Sequence, residues 1–479
     1  MIQDFFNTPS PFLTRARKRH IPIIPLTEKS GASWLKTANK AFRTQAEESG
    51  FGTESGPKTL LLLGKDGQLE ALLLRTGQTL ALTDFARAAE TLRKTLSAVA
   101  LSALSFEVSA KEAERLSAEE LVTACTGWAL GCYRYDRYKR QEEKDTPKLL
   151  WPKGTDKKRV NAFVGSIALL RNLVNTPANV LGPEELEKTA RHIAAEHPKA
   201  QIKIVKDKML EKDFPLIHAV GDSSPRRPRL IDLTWGDPKH PKLTLIGKGV
   251  CFDTGGLDIK PSQYMRLMKK DMGGAAHALA LGRMIMETGL PVRLRVLVPA
   301  VENAVSGTAF RPGDILSSRK GLTVENTNTD AEGRLILADA LTLASEEKPD
   351  LIIDFATLTG SARAALGPDI PAMFSNDDKV AETLSALSME IGDPLWRMPL
   401  WAPYKKVMDS PIANLINSAG TPGDLIYSAL FLQSFLEGTP SWVHLDVFAW
   451  EQAGKPGRPV GGCDTGLRAA FALIEKRYG

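Results

Sequence analysis

No apolar run in this chain comes near the roughly 18 residues that a membrane-spanning helix requires. No C-x-x-C pair occurs. The four cysteines, Cys125, Cys132, Cys251 and Cys463, stand apart, so neither a zinc knuckle nor a disulfide framework is indicated, and a reducing cytoplasm is the expected location. The opening segment MIQDFFNTPSPFLTRARKRH lacks the apolar core of a signal peptide. Its basic run, residues 15–20, reads as a solvated arm. Charge of one sign is not strongly in excess: the net charge is +6 over 479 residues, unlike a dedicated nucleic-acid binder. H-E-x-x-H is absent, and so is the phosphate loop G-x-x-x-x-G-K-[ST], of which GKG at 247–249 is only a fragment. Histidine is scarce, at seven. Only His444, in WVHLDV, stands in a suggestive strand, and a structural role is expected for it. There is no internal repeat and no low-complexity tract.

What remains is the composition of a soluble globular protein, 43% apolar and 25% charged, with a length that predicts two or three domains. The first part reads as α/β. TLLLLG (59–64) and EALLLRTG (70–77) have strand character, and 82–99 has the period of an amphipathic helix. The charged, proline-containing stretch 138–158 reads as a boundary. We therefore expect a domain over 1–145, a connecting segment over 146–165 and a larger domain over 166–479. In the larger domain, strands at 242–250, 292–300 and 350–358 alternate with helices at 272–288 and 335–347. That alternation predicts a mostly parallel sheet covered by helices. In such sheets ligands sit outside the carboxyl ends of the strands.

The chemistry gathers at those ends. In TNTDAEGRL (327–335), Asp330 and Glu332 lie two residues apart just before a helix. An extended backbone would point both carboxylates the same way. The bland alternative is a helix cap, with Asp330 at the N-cap and Glu332 as favourable charge in the first turn. The loop GKGVCFDTGGLDIKP (247–261) adds Lys248, Asp253, Asp258 and Lys260, and MKKDMGGAAHA adds Asp271. Several acids brought together at one sheet edge repel unless a cation sits among them. Carboxylates without histidine suit hard or borderline divalent cations, and their number suggests two metals. D-T-G occurs twice, at 253–255 and 464–466, as in two-lobed aspartic proteases. Those are all-β, whereas the first D-T-G here lies in a βαβ region and the second opens a helix.

These residues resemble one family, the leucyl (cytosol) aminopeptidases, which are dinuclear metallopeptidases. NTDAEGRL (328–335) matches the family's signature octapeptide in full. GKGVCFDTGGLDIKP and MKKDMGGAA match two further segments at matching spacing. NLVNTPAN (172–179), SGTAFRPGD (306–314), ATLTG (356–360) and YRYDRYK (133–139) also look like family segments. The likeness covers roughly residues 130–470, and the family's N-terminal domain is variable. The resemblance implies that Lys248, Asp253, Asp271, Asp330 and Glu332 hold two divalent ions, Zn2+ or Mn2+, with Mg2+ as a further candidate. Lys260 would polarise the scissile carbonyl. Arg334 would hold a bicarbonate that takes the proton from the nucleophilic water. Met268, Thr357, Leu358 and Gly360 would bind the peptide substrate. It also implies a cytoplasmic homohexamer. Some bacterial relatives combine peptidase activity with DNA binding, a role that the mild basic excess permits without favouring. The family's D-I-A-G becomes Asp446-Val447-Phe448-Ala449 here, near the pocket for the first side chain.

Overall fold

The computed structural model describes residues 2–6, 10–17, 19–139 and 146–479. Residues 140–145, inside the stretch expected to be a boundary, lie outside the described residues. The chain divides into two compact units. One comprises Asn7–Gly165 and Ala453–Val460. The other comprises Met1–Phe6, Ser166–Gln452 and Gly461–Gly479.

The smaller unit is built on a six-stranded sheet. Its order is Phe12–Leu13, Leu149–Leu150, Leu104–Val108, Arg19–Leu26, Leu69–Arg75, Thr59–Leu63. All neighbours run parallel except the last pair. Leu69–Arg75 shows why a leucine-rich run becomes an inner strand. Leu72 and Leu74 enter one apolar cluster while Ala71 and Leu73 enter another, so both faces are buried. The helix expected over 82–99 spans Leu82–Thr95. Leu96 turns extended, and the Ser97 hydroxyl caps a second helix, Ala98–Ala103, by accepting from the Ala100 N–H at 3.2 Å. The solvated arm expected at 15–20 is corrected. Arg19 and His20 begin an inner strand of the sheet, and Arg17 donates to the carbonyls of Leu101 and Leu104 at 2.7 and 3.1 Å. Backbone pairing of Arg19 and His20 with Leu104 and Ser105 draws this end of the run into the sheet, while Arg15 stays exposed. Lys18 lies outside the described residues.

The larger unit is built on a nine-stranded sheet. Four parallel strands form its middle: Ser441–Asp446, Leu351–Ala356, Lys242–Gly247 and Arg293–Asn303. Antiparallel strands flank them, Ala372–Ser375 on one side and Arg229–Trp235 on the other, and beyond the latter Gln201–Lys206 reverses again to run with the centre. The strand expected at 242–250 is broken at Lys248. Beyond it Gly249–Asp253 pairs, among the described strands, only with Arg293–Asn303. Helix Glu332–Glu346 packs through Leu335, Leu337 and Leu341 into the cluster containing Ile246, Leu297 and Ile352. Helix Gly273–Thr288 crosses the same central strands. A Cβ on Gly274 would lie 2.1 Å from the Phe355 carbonyl oxygen, and one on Gly247 would lie 2.4 Å from the Gly274 oxygen. Glycine at both places lets helix and strands meet, which fixes the height of the helix start above the sheet. Among the described residues no helix is long and apolar enough to cross a membrane.

Candidate active site

Every chemically marked segment ends at the carboxyl edge of this sheet. Lys248 follows strand Lys242–Gly247, and Asp253 closes strand Gly249–Asp253. Asp271 follows the single turn Met268–Lys270 and precedes helix Gly273–Thr288. Glu332 is the first residue of its helix. Asp330 is not the cap that the bland reading assigned to it. Ala331 holds that position and makes no side-chain cap bond.

The carboxylates of Asp253, Asp330 and Glu332 bring ligand oxygens within 4.8 Å of one another. Asp271 joins them through Lys248, whose ammonium lies 2.8 Å from Asp271 Oδ2 and 2.9 Å from Glu332 Oε1. Lys248 also donates to the Thr357 carbonyl at 3.0 Å. Lys260 contacts Asp253 Oδ2 at 2.9 Å and pairs with Asp330 Oδ1. Apart from the lysine contacts, Asp271 Oδ2, Asp330 Oδ1 and Glu332 Oε1 are buried without a directed hydrogen bond.

Burial and the neighbouring Asp253 push Glu332 up to about 8 and Asp330 up to about 6. Burial alone would lower Lys248, but Asp271, Glu332 and Asp253 hold it well above the ordinary lysine value. Lys260 is raised in the same way, by Asp253, Glu332 and Asp330. Burial opposes ionisation of Asp271, yet Lys248, Lys270 and Lys260 keep it below the usual carboxylate range. A buried group of acids that holds its own charge poorly, with oxygens left over, fits divalent cations. The two lysine ammoniums partly offset that charge.

The peptide-binding candidates lie around this centre. Thr357 donates its hydroxyl to Asp271, at 3.0 Å to the carbonyl and 2.7 Å to Oδ1. The N–H groups of Leu358 and Thr359 bond to the buried Asp446 carboxylate at 3.0 and 3.1 Å. Gly360 opens helix Gly360–Leu366, and Met268 opens the turn that delivers Asp271. Phe448 is flanked by Lys270 Nζ at 4.8 Å and Arg363 Cζ at 4.9 Å from its ring centre. Ala449 adopts a left-handed φ of 56° where the family motif has glycine. That conformation costs an L-residue about 1 kcal/mol. Arg334 turns to the Asn417 carbonyl at 2.6 Å and the Asp424 carboxylate at 3.0 Å.

Sequence reasoning passed over the residues that tie these loops together. Asn303 Nδ2 bridges Asp253 Oδ1 at 2.9 Å and the Thr329 carbonyl at 3.0 Å. Thr329 and Asp258 exchange bonds, at 2.7 Å from the Thr329 N–H and 2.8 Å from the Asp258 N–H. Asn417 accepts from the Thr327 N–H at 2.8 Å and donates to the Asn328 carbonyl at 2.7 Å. Asp258, Thr329 and Asp446 stood in segments that drew attention, without these roles being assigned to them. Asn303 and Asn417 carry no local signal. The decoys resolve as structure. His444 is buried against Asp354 at 2.6 Å, and Asp464 of the second D-T-G pairs with the buried Arg171 at 2.7 Å.

A mostly parallel α/β sheet with carboxylates and lysines gathered at its carboxyl edge defines an α/β domain whose site suits divalent cations. The model of the cytosol aminopeptidase catalytic domain matches residues 168–469, and that of the M17 aminopeptidase N-terminal domain matches 21–152. A probable cytosol aminopeptidase of Syntrophotalea carbinolica is 37% identical, over 94% of this chain and 93% of its own. The crystal structure of a cytosol aminopeptidase from Coxiella burnetii superposes with a TM-score of 0.90 at 44% identity, covering 98% of this chain and all of its own. The bottromycin maturation enzyme BotP in complex with Mn has a TM-score of 0.81 and 31% identity, covering 95% of this chain and 99% of its own. The chain belongs to the cytosol aminopeptidase family, and it is a peptidase of the leucyl aminopeptidase type.

Proposed function

We propose that this peptidase releases N-terminal amino acids from peptides in the cytoplasm, using a pair of divalent ions held by Lys248, Asp253, Asp271, Asp330 and Glu332. The observation that carries the reading is the gathering of three carboxylates within 4.8 Å, Asp253 and Glu332 buried and Asp330 half-buried, with Lys248 and Lys260 closing its two sides. Zn2+ and Mn2+ suit the donor set, and the Mn complex of BotP supports manganese. Such ions, when bound, lower the pKa of water and polarise a carbonyl.

The chain's own residues do the rest. Lys260 offers fixed positive charge where the carbonyl oxygen becomes negative. Thr357 holds Asp271 in place through its hydroxyl. Leu358, fixed by Asp446, and Gly360 present backbone to the substrate. Phe448, pinned between two cations, shapes the pocket for the first side chain. The family resemblance supports a homohexamer.

A free α-amine is the feature that confines cleavage to the first bond. N-acetylation of a good peptide substrate should therefore abolish turnover by the metal-loaded protein. Equal cleavage of acetylated and free peptides would overturn the reading. Phe448→Ala should raise kcat/KM for bulky first residues relative to small ones, read across a panel of aminoacyl amides. An unchanged ratio would remove Phe448 from the pocket.

A further inference from the structure

The resemblance assigns a bicarbonate ion to Arg334, and the geometry around this arginine does not suit one. Arg334 is almost wholly buried, its guanidinium 5.8 Å from the Tyr427 ring centre. Nη1 donates to the Asn417 carbonyl at 2.6 Å, and Nη2 to Asp424 Oδ1 at 3.0 Å. A protein carboxylate already lies against the cation. Asp424 is held there from three sides. It is the first residue of helix Asp424–Gln433, where the helix N-terminus favours negative charge. Ser428 donates to its Oδ1 at 3.1 Å, and Ser361 donates to its Oδ2 at 3.3 Å. Ser361 follows Gly360, so the carboxylate lies between Arg334 and the backbone proposed to meet the substrate. Two of the five guanidinium N–H groups carry these bonds, and among the other three is that of Nε, which is buried without a hydrogen-bond partner. A bicarbonate using it would place a second anion beside Asp424 on one guanidinium. Like charges sharing one guanidinium at that range repel each other.

We propose that Asp424 is the resident anion of Arg334. This peptidase then needs no bicarbonate, and the proton leaving the nucleophilic water passes to a side-chain carboxylate. The balance is simple. Water gives its proton to the Asp424 carboxylate and its oxygen to the peptide carbonyl. With that oxygen bonded to the carbonyl carbon, the C–N bond breaks, the proton goes to the nitrogen of the departing amine, and Asp424 is a carboxylate again. The proposal rests on the aminopeptidase reading only for this proton step.

Two measurements test it. In buffer stripped of carbon dioxide, the metal-loaded wild type should change rate by less than about twofold when millimolar bicarbonate is added. Asp424→Ala should fall by about 100-fold, the usual contribution of a general base, and recover at least about tenfold with bicarbonate in the vacated seat. Asp424→Asn should fall as far but resist rescue, because the amide fills the seat without accepting the proton.

The second measurement needs no activity. Line broadening of 13C-bicarbonate on the zinc-loaded protein should be absent for wild type, present for Asp424→Ala and lost again when Arg334→Met is added. Strong stimulation of wild type by bicarbonate, equal binding by wild type and Asp424→Ala, or full activity of Asp424→Ala in stripped buffer would each overturn the proposal. If no variant cleaves any peptide, the aminopeptidase reading fails instead, and the binding comparison still decides who occupies Arg334.

Discussion

Lys248 is held in a slot cut to its shape. A Cβ on Gly333 would come 2.5 Å from its Cε and 2.7 Å from its Nζ, so the glycine of the octapeptide leaves room for this side chain. Without a metal the ammonium pairs with Asp271 and Glu332. As a ligand the same nitrogen must give up a proton, because an ammonium has no lone pair. Arginine separates the two roles, since guanidinium stays protonated and offers no lone pair either. Lys248→Arg should bind less metal per subunit and lose at least about 100-fold in activity while remaining folded. Metal analysis of the purified variant checks it, and full loading with a normal rate would reduce Lys248 to a counter-charge. Gly333→Ala should produce a milder form of the same defect, weaker metal binding with little change in melting temperature.

Among the elements, helix Glu332–Glu346 does two jobs. Its first turn carries Glu332 and Arg334 into the site, and a turn further on Asp339 ties down its surroundings. Asp339 accepts from the N–H groups of Leu216 at 2.9 Å, Ile217 at 3.3 Å and Arg319 at 2.8 Å. Asp339→Ala leaves these donors unpaired and should cost at least about 2 kcal/mol, read by chemical denaturation. Burial also pushes Asp339 from 3.8 up to about 7, against the pull of its three donors. The folded chain therefore binds more protons than the unfolded one between those values. The stability due to this group is fullest below about 4 and declines as pH rises to about 7. Wild type should accordingly lose ground to Asp339→Asn between pH 4.5 and pH 7.5, and a constant difference would refute the sign. At this scale the sequence was informative where period and composition act locally. The helix at 272–288 and the strand at 350–358 formed within a few residues of expectation. The break at Lys248 was hidden, because an apolar run does not show where one neighbouring strand stops. The role of Asn417 was equally hidden, since it bonds to a loop about 90 residues away.

At the scale of the whole molecule, chain order and unit membership disagree. Residues 2–6 belong to the larger unit although residues 10–139 do not. Phe5 is fully buried, its carbonyl accepts from Asn172 Nδ2 at 2.9 Å, and the ring of Phe6 lies 4.2 Å from that of His192. Composition at the start of the chain gave no reason to expect this, because its partners are 160 residues distant or more. Phe5→Ala should destabilise the larger unit by about 3–5 kcal/mol, measured by thermal or denaturant unfolding. An effect below about 1 kcal/mol would show that the docked segment 2–6 is dispensable.

The opposite exchange, Ala453–Val460 belonging to the smaller unit, bears on how the protein is made. A ribosome delivers residues in order. Residues 2–6 leave the tunnel long before Asn172 and His192, which they pack against, and the smaller unit waits for Ala453–Val460, which follow most of the larger unit. Neither unit can close on its own schedule. Both must hold exposed apolar surface until residues 453–460 have emerged, so exposure to aggregation, and to chaperones, lasts through the synthesis of nearly all of the larger unit.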